Sequence, residues 1–121
     1  MCDTALMASR TTSPLHHPTV ADLEFGKVLA ALSDPVRLAI VVMLADQTEI
    51  PCGEFDLTVS KSTGSWHFRT LREAGIIRQA DHGTRRLNTL RRDDLDARFP
   101  GLLDLAITEG RRSAGLSPSR D

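Results

Sequence analysis

The residues best suited to do chemistry cluster between positions 58 and 92. Eight cations (Lys61, Arg69, Arg72, Arg78, Arg85, Arg86, Arg91 and Arg92) stand against two acids, Glu73 and Asp81, a local net charge of +6. Among them lie three short hydrogen-bonding side chains, Ser62, Thr63 and Ser65, the single tryptophan Trp66, and the imidazoles of His67 and His82. Guanidinium and ammonium groups bind phosphate through their local field, which the overall charge of a protein does not report. Small hydroxyl side chains suit hydrogen bonding to base edges. The whole chain has 15 Lys+Arg and 16 Asp+Glu, net −1, because three basic groups face eight acidic ones over residues 1–57 and four face six over residues 93–121. The same count also describes a solvated basic surface, so charge alone leaves both readings open.

Other chemistries find no support. Ser65 lies two residues from His67 and so points to another face of any helix that holds both. There is no glycine-rich phosphate loop and no Cys-x-x-Cys. An enzyme is not expected. Two cysteines, Cys2 and Cys52, do not make a disulfide framework. The longest unbroken apolar run, Leu38–Ala45, is eight residues, far below the roughly 18–20 that span a bilayer. Residues 1–12 lack the basic start and apolar stretch of a secretory signal. A chain of 121 residues, 40% apolar with four Phe, one Trp and no Tyr, fits one small cytoplasmic domain with an aliphatic core.

These groups must be positioned by the elements around them. Residues 1–18 read as a flexible arm, residues 19–108 as the folded domain and residues 109–121 as a disordered tail. Phe25, Val28, Leu29 and Leu32 recur at i, i+3, i+4 and i+7, one face of an amphipathic helix. Ser33-Asp34-Pro35 ends it and starts another, with Asp34 as cap and Pro35 in the first turn. Val36–Ala45 is apolar nearly all round and should cross the core. Asp46–Pro51 reads as a turn and Cys52–Leu57 as a short third helix. Ser60 caps a helix over about residues 61–74, stopped by Gly75. Residues 76–80 and 85–90 read as a β-hairpin around a turn with Gly83. Residues 93–99 make a turn or two of helix, and Pro100 starts a last helix with Leu102, Leu103, Ala106 and Ile107 on one side.

Short helix, turn, longer helix and hairpin is the winged helix-turn-helix plan: mainly α, with a β-hairpin wing. In that plan the longer helix enters the major groove of double-stranded DNA, and Lys61, Ser62, Thr63, Ser65, Trp66, His67, Arg69 and Arg72 are the candidate contacts. His82, Arg85 and Arg86 on the wing are the candidate phosphate or minor-groove contacts. For His67 a second reading stays open, a histidine hydrogen-bonded at the core edge. Trp66 suits either a thymine methyl or sugar, or packing beneath the wing.

Two segments resemble one family. Ala31-Leu32-Ser33-Asp34-Pro35-Val36-Arg37-Leu38-Ala39-Ile40 is similar to the opening motif of the ArsR/SmtB bacterial transcriptional regulators, and residues 60–77, from Ser60-Lys61-Ser62 through His67 to Ala74-Gly75-Ile76-Ile77, to their recognition segment. The resemblance covers residues 20–108. It implies a homodimer that reads an imperfect palindrome, as a repressor, through two recognition helices, with the first and last helices at the interface. Phe25, Val28, Leu29, Leu32, Leu103, Ala106 and Ile107 are the surfaces it assigns there. Metal-sensing relatives use paired cysteines near the third helix or Asp and His on the last one. This chain has only Cys52 near the first place, out of register, and no histidine at the second. No cofactor is expected. A Zn or Ni site would require Cys2, His16, His17 and Cys52 to converge. Two rivals remain, a winged-helix protein-interaction module and a metal- or thiol-responsive sensor.

Overall fold

Ser33-Asp34-Pro35 sets the first corner of the chain. Helix α1 (Phe25–Leu32) closes where the Ser33 hydroxyl donates to the Ala30 carbonyl at 2.7 Å. Helix α2 (Pro35–Asp46) opens with the Asp34 carboxylate accepting from the N–H groups of Val36 (2.8 Å) and Arg37 (3.2 Å), while Pro35 has no N–H to satisfy. The two helices meet at 96°. This is a computed structural model describing residues 15–113. After α2 come a short strand β1 (Ile50–Pro51), a single 3-10 turn (Cys52–Glu54), α3 (Lys61–Ala74), β2 (Ile77–His82), β3 (Arg85–Leu90), α4 (Arg92–Arg98) and α5 (Leu102–Ser113).

The core is aliphatic, as the composition requires. Ile40, Val41, Val42 and Leu44 of α2 are buried, as are Phe68 and Leu71 of α3, Ile76 and Ile77 entering the wing, and Leu95, Leu103 and Ile107 of α4 and α5. Phe55 meets Phe68 edge-on, ring centroids 5.0 Å apart. Helix α5 lies against α2 at Gly110, where a Cβ would stand 2.8 Å from Val42 and 3.0 Å from Leu38. Gly75 ends α3 at φ 86°, and its N–H bonds the Arg72 carbonyl at 3.0 Å. The hairpin turns on Gly83-Thr84, with Gly83 at φ 68°. Strand order is β1-β3-β2, all antiparallel, with Gln79 opposite Asn88. This is a winged helix-turn-helix fold. Among the described residues no single helix is long and apolar enough to cross a membrane.

Several expected boundaries shift. The short third helix over Cys52–Leu57 shrinks to one 3-10 turn, because Ile50-Pro51 pairs as a strand with Leu87-Asn88 and draws the segment onto the sheet. Pro100 sits in a turn before Gly101, at φ 85°, and the last helix starts at Leu102. That helix runs to Ser113, so residues 109–113 are helical instead of tail. Residues 15–18 are held on the domain instead of belonging to a free arm: Gln79 N–H donates to His17 Nε2 at 3.0 Å, and Arg91 to the Pro18 carbonyl at 2.7 Å. The rest of the expected arm, with Cys2, and the tail from residue 114 lie outside the described residues.

Candidate nucleic-acid interface

Helix α3 divides its side chains into an inner and an outer set. Gly64, His67, Phe68, Leu71, Arg72 and Ala74 face inward and are buried. Lys61, Ser62, Thr63, Trp66, Arg69 and Glu73 are exposed, and Ser65 is half-buried. Ser62, Ser65 and Trp66, Arg69 and Glu73 follow one another at three- and four-residue steps, a single stripe along the solvent side. Thr63 also serves the cap: its N–H and its hydroxyl both bond Ser60 Oγ, at 3.2 and 3.0 Å.

His67 belongs to the inner set. It is 4% exposed, and its Nδ1 lies 3.1 Å from Arg37 Nη1. A guanidinium only donates, so Nδ1 accepts and the imidazole is neutral with its proton on Nε2. Burial pushes the His67 pKa below its ordinary 6.5, opposed by the Asp34 carboxylate and assisted by Arg37. The core-edge reading of this residue therefore holds, and a DNA contact from it does not. Arg37 is itself buried, with Nε donating to the Ala31 carbonyl at 2.8 Å and Nη2 to the Ala30 carbonyl at 3.4 Å. It thereby adds donors to the last-turn carbonyls of α1, of which Ala30 also accepts from Ser33. Its guanidinium carbon lies 5.0 Å from the centroid of the Trp66 ring. Trp66 is 47% exposed.

The wing arginines differ from one another. Arg86 was expected at phosphate, but its side chain is 1% exposed and forms a two-point pair with Asp81, Nε–Oδ1 2.8 Å and Nη2–Oδ2 3.3 Å. It braces the hairpin and offers no surface. Arg72, expected on the reading face, is also buried and donates to Gln79 Oε1 at 2.7 Å. From there a polar chain runs under the sheet: Gln79 Nε2 to Asn88 Oδ1 at 2.8 Å, then Asn88 Nδ2 to the Ile50 carbonyl at 3.0 Å and to Cys52 Sγ at 3.2 Å. This chain ties α3, β2, β3 and β1 together. Arg85 is exposed and pairs at 2.7 Å with Glu54, which is exposed too. Such a pair is weak and readily exchanged for phosphate. His82 is exposed beside the hairpin turn.

The eight cations therefore do not form one continuous strip. Arg72, Arg86 and Arg91 are buried, Arg78 lies 3.8 Å from Asp94, and Arg92 bonds Asp104 at 2.9 Å. Lys61 and Arg69 on α3, with Arg85 on the wing, carry the outward positive charge of this face.

The predicted interface residues also separate. Val28, Leu32, Leu103 and Ile107 are buried in the protomer's own core, since α1 and α5 pack through them, so they cannot be a dimer surface. Phe25 and Leu29 are exposed, Ala106 is half-buried, and Leu105, which sequence periodicity did not single out, is 60% exposed. Phe25 meets Phe99 in a tilted contact, ring centroids 5.4 Å apart and planes at 45°. Cys52 is buried, with its Sγ within 3.2 Å of Asn88 Nδ2, and its expected co-ligand Cys2 lies outside the described residues. Among the described residues no group of three or more His, Cys, Asp or Glu is placed to hold a metal. His16 is exposed, and His17 Nε2 is taken by Gln79.

With this geometry, comparison with known proteins becomes informative. No protein-family profile matches the chain. The chain is similar to the uncharacterized HTH-type transcriptional regulator YceK of Bacillus subtilis (strain 168), 36% identical over 82 residues that cover 65% of this chain and 82% of that protein. Regulators of that class act by binding and not by catalysis. A helix-turn-helix with an outward polar stripe and a wing, and a relative matched over most of its length, agree: the chain belongs to the HTH-type transcriptional regulators.

Proposed function

We propose that the protein is an ArsR/SmtB-type repressor that binds an imperfect palindrome in double-stranded DNA as a homodimer, in the cytoplasm and without a metal cofactor. The observation that carries this is the outer stripe of α3. Ser62, Ser65, Trp66 and Arg69 project from a helix whose opposite face is locked into the core, as a major-groove reader requires. Lys61 and Arg85 supply phosphate contacts at either side, and Thr63 and His82 stand close to them on the same elements.

The dimer is proposed through the apolar side chains that α1 and α5 leave exposed, Phe25, Leu29 and Leu105, with half-buried Ala106 next to Leu105 in α5. A two-fold pair places two α3 helices at half-sites one turn of DNA apart. Selection from a random duplex pool, followed by fluorescence anisotropy across a salt series, tests the reading. One enriched palindromic sequence, bound with a steep negative dependence on salt, is expected, and its affinity should survive dialysis against EDTA. No enrichment of any duplex would overturn it. Sedimentation of the Phe25→Glu, Leu105→Glu double variant should give a monomer whose operator affinity falls roughly a hundredfold.

A further inference from the structure

We propose that Trp66 is a specificity-determining residue that reads the C5-methyl group of a thymine, and that Arg37 is the positioning residue that presents it. The inference rests on the DNA-binding reading above. It starts from an anomaly: on a stripe of serines and arginine, a tryptophan is left 47% exposed. The ring is not loose. The Arg37 guanidinium lies 5.0 Å from its centroid, and the His67 ring lies 5.0 Å away at 49°. Cation–π attraction of this kind holds a ring orientation.

Arg37 is in turn over-determined. It reaches the carbonyls of Ala30 and Ala31 and Nδ1 of His67, and its own backbone N–H bonds Asp34. The chain of contacts therefore runs from the end of α1, through Arg37, to one side of the indole. The remainder of the ring is presented to solvent between Ser62 and Arg69.

An indole carries one N–H donor and an otherwise apolar surface. The major groove offers a single apolar feature, the thymine methyl group. A ring already fixed on one side loses little freedom when the other side meets that methyl. The arrangement thus assigns an apolar contact to a helix whose other exposed groups are hydrogen-bonders or charges. It also gives a route by which a shift of α1 would move a reading residue.

The test uses the full chain and the duplex that it enriches from a random pool, with deoxyuridine replacing thymidine one position at a time. Uracil pairs identically and lacks only the methyl. The quantity read is the ratio of affinities for the thymine and uracil duplexes. At one position per half-site the wild type should favour thymine about fourfold, the scale of one buried methyl-sized group. Trp66→Ala should bring that ratio to about one, with Trp66→Phe between. Arg37→Lys keeps the charge but not the fork, and should lower the ratio while acrylamide quenching of the single tryptophan rises. If Arg37→Lys fails to fold, the two Trp66 variants, altered at an exposed position, still decide the reading role. Equal ratios in wild type and Trp66→Ala, or no uracil-sensitive position, would overturn the inference and leave DNA binding intact. Failure to enrich any duplex would remove both.

Discussion

On α3 the polar residues Ser62, Ser65 and Arg69, with Trp66 among them, point away from the core, whereas on the hairpin Gln79, Arg86 and Asn88 point into it. Both regions are basic and polar in sequence. In the helix the apolar inner set already closes the core, so the remaining positions are available for recognition. In the hairpin, Ile77 shares the buried side of the sheet with Gln79, Arg86 and Asn88, and the hydrogen-bonded chain of Arg72, Gln79 and Asn88 joins that side to α3. Similar residue types thus serve recognition in one element and cohesion in the other. Burial, not residue type, separates the two roles.

The largest effect should come from breaking the polar chain. Asn88→Leu removes the partner of Gln79 and of the Ile50 carbonyl at a site with no exposure, and should cost about 2–4 kcal/mol of stability, read by urea denaturation. Arg86→Ala comes next, at about 1–3 kcal/mol, reduced from the cost of a fully buried pair because Asp81 is 38% exposed. By contrast Arg69→Ala should leave the urea midpoint unchanged within about 0.5 kcal/mol and weaken DNA binding by about 1–2 kcal/mol. Arg85→Ala should weaken binding less than Arg69→Ala does, while flattening the slope of log affinity against log salt by roughly one unit.

Acidification should act first through two imidazoles, His67 and His17, and at lower pH through Asp34. His67 is held neutral in the fold, its pKa pushed below 6.5 by burial, and His17 is lowered in the same way by burial and by Arg72, Arg78 and Arg91, against a backbone hydrogen bond at Leu15. As pH falls below about 6.5 the unfolded chain takes up protons first, so stability declines until the folded imidazoles protonate as well. His67→Gln should shrink that decline in thermal melts taken between pH 7.5 and 5. Asp34 behaves in the same sense at lower pH: burial pushes its carboxyl up, but the N–H groups of Arg37 and Val36 outweigh burial and hold it below 3.8. Its cap is lost as pH falls through that range.

Much of the fold was legible because local signals were strong. Asp34-Pro35, Ser60 and Gly75 mark helix ends through definite hydrogen bonds, and those ends appear where expected. The wing was legible as a hairpin, but not the direction of its side chains. Strand parity held the missing signal: Gln79 shares a side with buried Ile77, and Arg86 and Asn88 share a side with Leu90. Reading that alternation would have placed Arg86 inside. Arg72 and His67 were harder, because a helix packed between a core and a wing buries more than one apolar stripe. Arg37 was visible only as part of a family motif, and its contact with Trp66 joins residues 29 apart in sequence, which no local pattern encodes. The interface set divides for a similar reason: periodicity finds the apolar stripe of α1, but Val28 and Leu32 lie in the protomer's own core and Phe25 and Leu29 at its surface.

The separation of recognition from cohesion is tested most directly by anisotropy titrations of wild type, Arg69→Ala and Arg86→Ala on the selected duplex across a salt series, each corrected for its folded fraction. Per folded molecule, Arg69→Ala should lose roughly tenfold in affinity and about one unit of salt slope, while Arg86→Ala should match wild type in both. The reverse pattern, with the salt slope lost in Arg86→Ala and kept in Arg69→Ala, would contradict the account.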